Sequence, residues 1–177
     1  MDGLFLFVDN SNIYIEAQRV ARYIYRYDDE LVPRMRISYG DLLDYIRGDR
    51  TLCKTVLVGS KPPPNDRLWN RLKVMGVKPI IFERGFYNGK EKKVDMELTN
   101  CIRDALEENT EPGVIALVAG DKDYVPTLER CVKKAWKVEI YFWEQAAGDL
   151  KTMNGTSFHN LNGVFEQITF LEKGGHY

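Results

Sequence analysis

Apolar and polar positions alternate along the chain in two rhythms. Leu4–Val8, Cys53–Gly59, Val77–Phe82, Val114–Val118 and Val138–Phe142 are short apolar runs rich in β-branched residues. Runs of that length and composition predict strands buried on both faces. Between them the apolar residues recur every three or four positions, the signature of one helix face. Ile13, Ala17, Val20 and Ile24 predict a first helix, and Leu42, Leu43 and Ile46 a second, opened by Ser38 and Asp41 at capping-box spacing. Leu68, Leu72 and Met75 predict a third that ends at Gly76. Leu98, Ile102, Ala105 and Leu106 mark a fourth over Val94–Glu107, and Val125, Leu128 and Val132 a fifth. Towards the end, Ala146–Met153 predicts a short helix and Phe158–Leu161 a short edge strand, while Gly163–Phe170 fits either type. Strands alternating with helices imply an α/β fold with a mostly parallel central sheet of about five strands flanked by helices.

The segments between these elements are polar. Tyr27–Pro33 reads as a loop, and Ser60-Lys61-Pro62-Pro63-Pro64 stops the second strand, because proline donates nothing to a ladder. Glu83–Lys93 carries Arg84, Lys90, Lys92 and Lys93 beside Phe86 and Tyr87. Basic residues interleaved with aromatics can grip a phosphate backbone and stack bases; a surface loop without a partner has the same composition. Arg19, Arg22 and Arg26 lie opposite the first helix's apolar stripe, either as a solvated basic face or as a strip turned towards nucleic acid.

Candidate chemistry sits where strands end. Val118-Ala119-Gly120-Asp121-Lys122-Asp123-Tyr124 places two carboxylates on a strand-to-helix turn opened by a glycine. Ligands of open parallel sheets bind at that edge. Asp9 ends the first strand at the same edge, and Asp95, opening a helix, can reach it. Each aspartate alone has an ordinary role: closing a turn, capping a helix or complementing a helix dipole. Four carboxylates converging from three distant stretches are harder to explain that way. They repel one another unless a hard cation such as Mg²⁺ or Mn²⁺ occupies the gap.

Composition narrows the field. The 177 residues suit one domain with a sizeable core, taken as 1–177, and the 25 basic against 26 acidic residues leave any nucleic-acid binding to a local patch. Cys53, Cys101 and Cys131 form no CxxC pair, which argues against a disulfide framework or zinc site and favours a reducing, cytoplasmic location. No apolar run approaches a membrane span, and the N-terminus lacks signal-peptide features. His159 and His176 belong to no evident Ser-His or Cys-His pattern, and no Walker-type glycine loop is present.

Three motifs, in order, resemble the NYN-domain family of the PIN-like nuclease superfamily: Phe7-Val8-Asp9-Asn10-Ser11-Asn12-Ile13, Lys93-Val94-Asp95-Met96-Glu97-Leu98 and Val118-Ala119-Gly120-Asp121-Lys122-Asp123-Tyr124-Val125-Pro126. The resemblance covers about residues 4–161, leaving 162–177 as a C-terminal extension. It implies a three-layer PIN-like α/β fold and a Mg²⁺- or Mn²⁺-dependent ribonuclease. Asp9, Asp95, Asp121 and Asp123 match the family's acidic metal-binding residues, and Asn12 its asparagine after the first strand. Arg84, Lys90, Lys92, Lys93 and Lys122 are the basic residues expected to meet RNA. Self-association into a homo-oligomer stays open. Asn10 stands where relatives often have glycine, Cys101 where many have a further aspartate, and Ala135 where glycine is common. The alternative is a PIN-like module that binds RNA or protein without turnover.

Overall fold

Every residue of the first apolar run is buried, and the sheet extends from it in both directions. β1 (Leu4–Asp9) pairs in parallel with β3 (Leu52–Ser60) on one side and β5 (Val114–Val118) on the other. The computed structural model describes residues 3–60, 67–82 and 90–173. The proline turn at 61–64, the stretch 83–89 with Arg84, Phe86 and Tyr87, and His176 lie outside them. β4 (Lys78–Phe82) adds to β3, and β6 (Lys137–Phe142) and then β7 (Thr156–Asn160) add to β5, giving the order β4-β3-β1-β5-β6-β7 with every pair parallel. β7 is the expected edge strand. β2 (Met35–Ile37) and β8 (Thr169–Leu171) form a separate antiparallel pair. Numbered among themselves, the six strands of the main sheet run 3-2-1-4-5-6, so the chain reverses direction across the sheet between β1 and β5. A crevice opens at such a switch point, outside the carboxyl ends of the two strands.

Successive strand side chains point to opposite faces, so each strand serves two cores. Leu4, Leu6 and Val8 pack with Ile13, Ala17 and Val20 of α1 (Asn10–Tyr23), with Leu42 and Ile46 of α2 (Tyr39–Arg47), and with Leu72 of α3 (Arg67–Val74). Phe5 and Phe7 pack on the other face with Val94, Leu98 and Ile102 of α4 (Lys90–Glu108) and with Leu128 and Cys131 of α5 (Val125–Lys133). Two short helices, α6 (Gly148–Lys151) and α7 (Phe165–Ile168), close the ends of these layers.

The structure departs from the sequence reading in instructive places. α4 begins at Lys90, so residues 90–93 are its first turn and Asp95 lies in its second, away from the strongest part of the helix dipole. That turn is charged all round and carries no apolar period, although Lys and Glu are good helix formers. Ser38 and Asp41 do not close a capping box. Ser38 Oγ donates to Asp41 Oδ2 at 2.6 Å, and the Ser38 amide donates to Ile168 O at 2.8 Å instead. Gly163–Phe170 turns out to hold the end of a one-turn 3-10 helix (Leu161–Val164), then α7 and the start of β8.

The end of α5 explains the Ala135 departure. The Ala135 amide donates to Val132 O and the Trp136 amide to Cys131 O, each at 3.0 Å, with Ala135 at φ 66°. This is the Schellman arrangement, whose left-handed residue is usually glycine. A left-handed alanine costs about 1–2 kcal/mol, and glycine gives part of that back through its freer unfolded chain. Ala135→Gly should therefore stabilise the protein by about 0.5–1 kcal/mol, raising Tm by about 1–4 °C. Thermal unfolding checks it; a lower Tm would mean that the exposed methyl packs better than its position suggests.

Candidate metal centre at the switch point

Asp9 is the last residue of β1 and the N-cap of α1. Its side chain accepts from the Asn12 amide at 3.4 Å and, although charged, is only 2% exposed. On the far side of the switch point Asp121 caps a one-turn 3-10 helix, Lys122–Tyr124, by accepting from the Asp123 amide at 2.9 Å. The ordinary capping roles are thus real. Each engages one oxygen of its carboxylate, Oδ1 in both cases.

α4 lies across β1 and β3 and beside α5. Burying Val94 and Leu98 in the core turns the half-buried Asp95 towards the β5 end. Asp95, Asp121 and Asp123 each offer a carboxylate oxygen, and these oxygens all lie within 4.8 Å of one another. Asp9 stands behind this trio rather than in it, linked through a residue that the sequence analysis did not single out. Tyr124, fully buried, donates its hydroxyl to Asp9 Oδ2 at 3.0 Å and also reaches the Asp95 carboxylate. The only sequence signal for Tyr124 is its place directly after Asp123.

The electrostatics are those of clustered carboxylates. Burial, the Asp9 charge and, more weakly, Asp121 and Asp123 push the Asp95 carboxyl up to about 7 from its ordinary 3.8, with the Tyr124 hydroxyl opposing the rise. Burial and the charges of Asp9 and Asp95 also hold the Tyr124 hydroxyl far above the usual tyrosine range, so it remains a donor. Oxygen-only ligands gathered at the cost of mutual repulsion suit a hard divalent cation, and the donor set fits Mg²⁺ or Mn²⁺. Tyr124→Phe removes the hydroxyl from two carboxylates, one of them almost wholly buried. It should cost about 1–3 kcal/mol, read by denaturant unfolding. No loss would mean that the remaining partners of Asp9 satisfy it.

Asn12 and Lys122 line a groove on the other side of Asp121. Lys90, Lys92 and Lys93 belong to the first turn of α4, within five positions of Asp95 in sequence, and their side chains lie outside what is described. Asn10 has room because residue 59 is glycine: a Cβ there would meet the Asn10 Cβ at 2.8 Å. Cys101 is buried, with its sulfur 4.0 Å from Glu97 and Lys54 and Lys78 nearby, outside the acidic trio. Ser157 Oγ and His159 Nε2 lie 3.1 Å apart on β7, two strands from β5; spacing of two on a strand brings them together. Among the described residues no helix is long and apolar enough to cross a membrane.

A parallel sheet flanked by helices on both faces, with carboxylates gathered at its switch point, is the architecture of a PIN-like α/β domain. Residues 4–162 match the NYN domain, and the chain belongs to that family. The fold is also that of a Vibrio parahaemolyticus protein of unknown function, whose crystal structure aligns with TM-score 0.65 at 12% identity over 96% of each chain. No curated protein matches the sequence.

Proposed function

We propose that this protein is a Mg²⁺- or Mn²⁺-dependent ribonuclease that hydrolyses RNA phosphodiester bonds at the Asp95–Asp121–Asp123 cluster. The observation that carries the reading is the meeting of these three carboxylate oxygens, drawn from α4 and from the turn after β5, within 4.8 Å of one another. A bound divalent ion would supply an acidified water and offset charge on the phosphate. Asp95, Asp121 and Asp123 would hold the cation, and Asp9, linked to them through Tyr124, would complete the acidic set. Tyr124 donates its one hydroxyl proton to Asp9 and lies within reach of Asp95, which ties the positions of the two carboxylates together. Asn12 and Lys122 line the groove beside Asp121, and we assign them to the ribose and phosphate. Arg84, Lys90, Lys92 and Lys93 precede Asp95 closely in the chain, and we assign them to the phosphate backbone of the flanking RNA.

Single-stranded and structured RNAs, incubated with Mn²⁺, Mg²⁺ or EDTA, test the reading. Cleavage should require metal and return when metal is restored. Binding without cleavage under every metal condition would replace the enzyme with an RNA-binding module. Neutralising Arg84, Lys92 and Lys93 together should weaken RNA binding across sequences and flatten its salt dependence by about one unit of slope per lost contact. An unchanged slope in anisotropy titrations would remove those residues from the interface.

A further inference from the structure

The groove beside Asp121 has a cavity volume of about 300 Å³, at the small end of ligand pockets and enough for one nucleoside. Its walls are held in place. Trp143 Nε1 donates to Ile13 O at 3.0 Å, tying the segment after β6 to α1, and the Ala147 amide donates to Gly120 O at 2.9 Å. The Phe142 ring occupies the space that a Cβ on residue 120 would need, 2.3 Å away, so glycine there lets an aromatic ring form part of the lining. Asn12, Gln145 and Lys122 bring polar groups to the same space.

Glu16, one helical turn beyond Asn12, also lines this groove and has no role in the acidic trio. Its Oε1 lies 3.5 Å from the Arg19 guanidinium, a partner whose side chain is 63% exposed. Its Oε2 is shielded from solvent and accepts no hydrogen bond. An orphaned carboxylate oxygen costs free energy until a donor reaches it, and an exposed ion pair does little to offset that. We propose that the groove holds the nucleotide next to the scissile phosphate and that Glu16 reads its base, favouring guanine. This inference rests on the ribonuclease reading for its substrate, while its test is separate. A carboxylate only accepts. Guanine presents two adjacent donors, N1–H and the N2 amino group, which match a carboxylate's fork. To meet them the Glu16 side chain turns out of its shielded position and away from Arg19, whose exposed ion pair costs little to break. Cytosine and adenine each present one amino group. Uracil presents N3–H between two carbonyl oxygens, which the carboxylate repels.

The test uses pentauridylates carrying G, A, C or U at the central position. Binding to wild type and to Glu16→Gln is measured by anisotropy in Ca²⁺, and cleavage of the same oligonucleotides in Mn²⁺. Wild type should bind the G-containing oligonucleotide about tenfold more tightly than the all-uridine one, the scale of one well-formed base contact. Glu16→Gln should bring the two close to equality, with affinity for the all-uridine strand equal or higher because a carboxylate that repels uracil and phosphate is gone. Its cleavage should show the same collapse in the G-to-U ratio of kcat/KM. A G-to-U binding ratio near one in wild type, or one unchanged by Glu16→Gln, overturns the inference whether or not RNA is cut. A ratio that collapses as expected without any cleavage overturns the ribonuclease reading and keeps the base-reading groove. Failure to bind any of the four overturns both.

Discussion

Asp121→Asn should reduce RNA cleavage by at least about a hundredfold while leaving RNA affinity intact or higher, because one charged ligand of the proposed metal centre disappears and the fold does not. The substitution is conservative where it needs to be. An asparagine side-chain oxygen can still accept from the Asp123 amide, now at 2.9 Å, so the cap of the turn survives. The change falls on the cluster's net charge. Removing one carboxylate weakens cation binding and with it the activated water. The same change lowers repulsion of the phosphate backbone, which is why binding should hold or improve. Without metal the variant should melt slightly above wild type, since Asp95 and Asp123 lose a repulsive neighbour. Single-turnover cleavage in Mn²⁺ and anisotropy at two salt concentrations separate the two effects. Cleavage equal to wild type would remove Asp121 from the chemistry and leave it as a capping residue.

Divalent metal should raise Tm, and the rise should grow with pH. A ligand that binds only the native state at a hundred times its Kd stabilises by about 2.7 kcal/mol, which for a chain of this size is about 5–10 °C. The pH dependence follows from Asp95, whose carboxyl is raised to about 7 from 3.8 by burial first and then by the Asp9 charge. Between those two values the native protein holds a proton that the unfolded chain has released. Metal-free stability therefore falls as pH rises from about 4 to about 7 and levels off above that. Below pH 4 both states are protonated and the penalty vanishes. A cation must displace the Asp95 proton, so the metal-induced rise in Tm should be small near pH 5.5 and approach its full size near pH 7.5. Thermal melts with and without Mn²⁺ across that range read both slopes. A metal effect independent of pH would mean that the cation does not touch Asp95. In Asp95→Asn the metal-free slope should disappear.

Much of the architecture was legible in the order of residues, because buried strands and amphipathic helices carry their periods in apolar side chains. Leu4–Val8 and Val114–Val118 could hardly be anything but central strands, and their ends placed Asp9 and Asp121 at one edge of a parallel sheet. Elements whose hydrogen bonds come from distant chain had no such signature. β2 is three residues long and exists because Thr169–Leu171 returns to pair with it. The Ser38 amide that a local capping box would use was taken by Ile168. The first turn of α4 escaped because four charged residues have no apolar face to show.

The site divides along the same line. Residue types and spacing were enough to nominate Asp9, Asp95, Asp121 and Asp123, because clustered carboxylates at strand ends are costly and so informative. Which of them share one shell was a tertiary matter: Asp95, Asp121 and Asp123 converge, while Asp9 sits behind them through Tyr124. A buried tyrosine reads from sequence as core, and only its hydroxyl's position between two carboxylates gives it a further role. Glu16 likewise reads as one more polar residue on a helix flank until the fold sets α1 against the segment after β6. Sequence carries the identity and local period of each group. Distances between groups from separate stretches arise only when the packed sheet brings strand ends together.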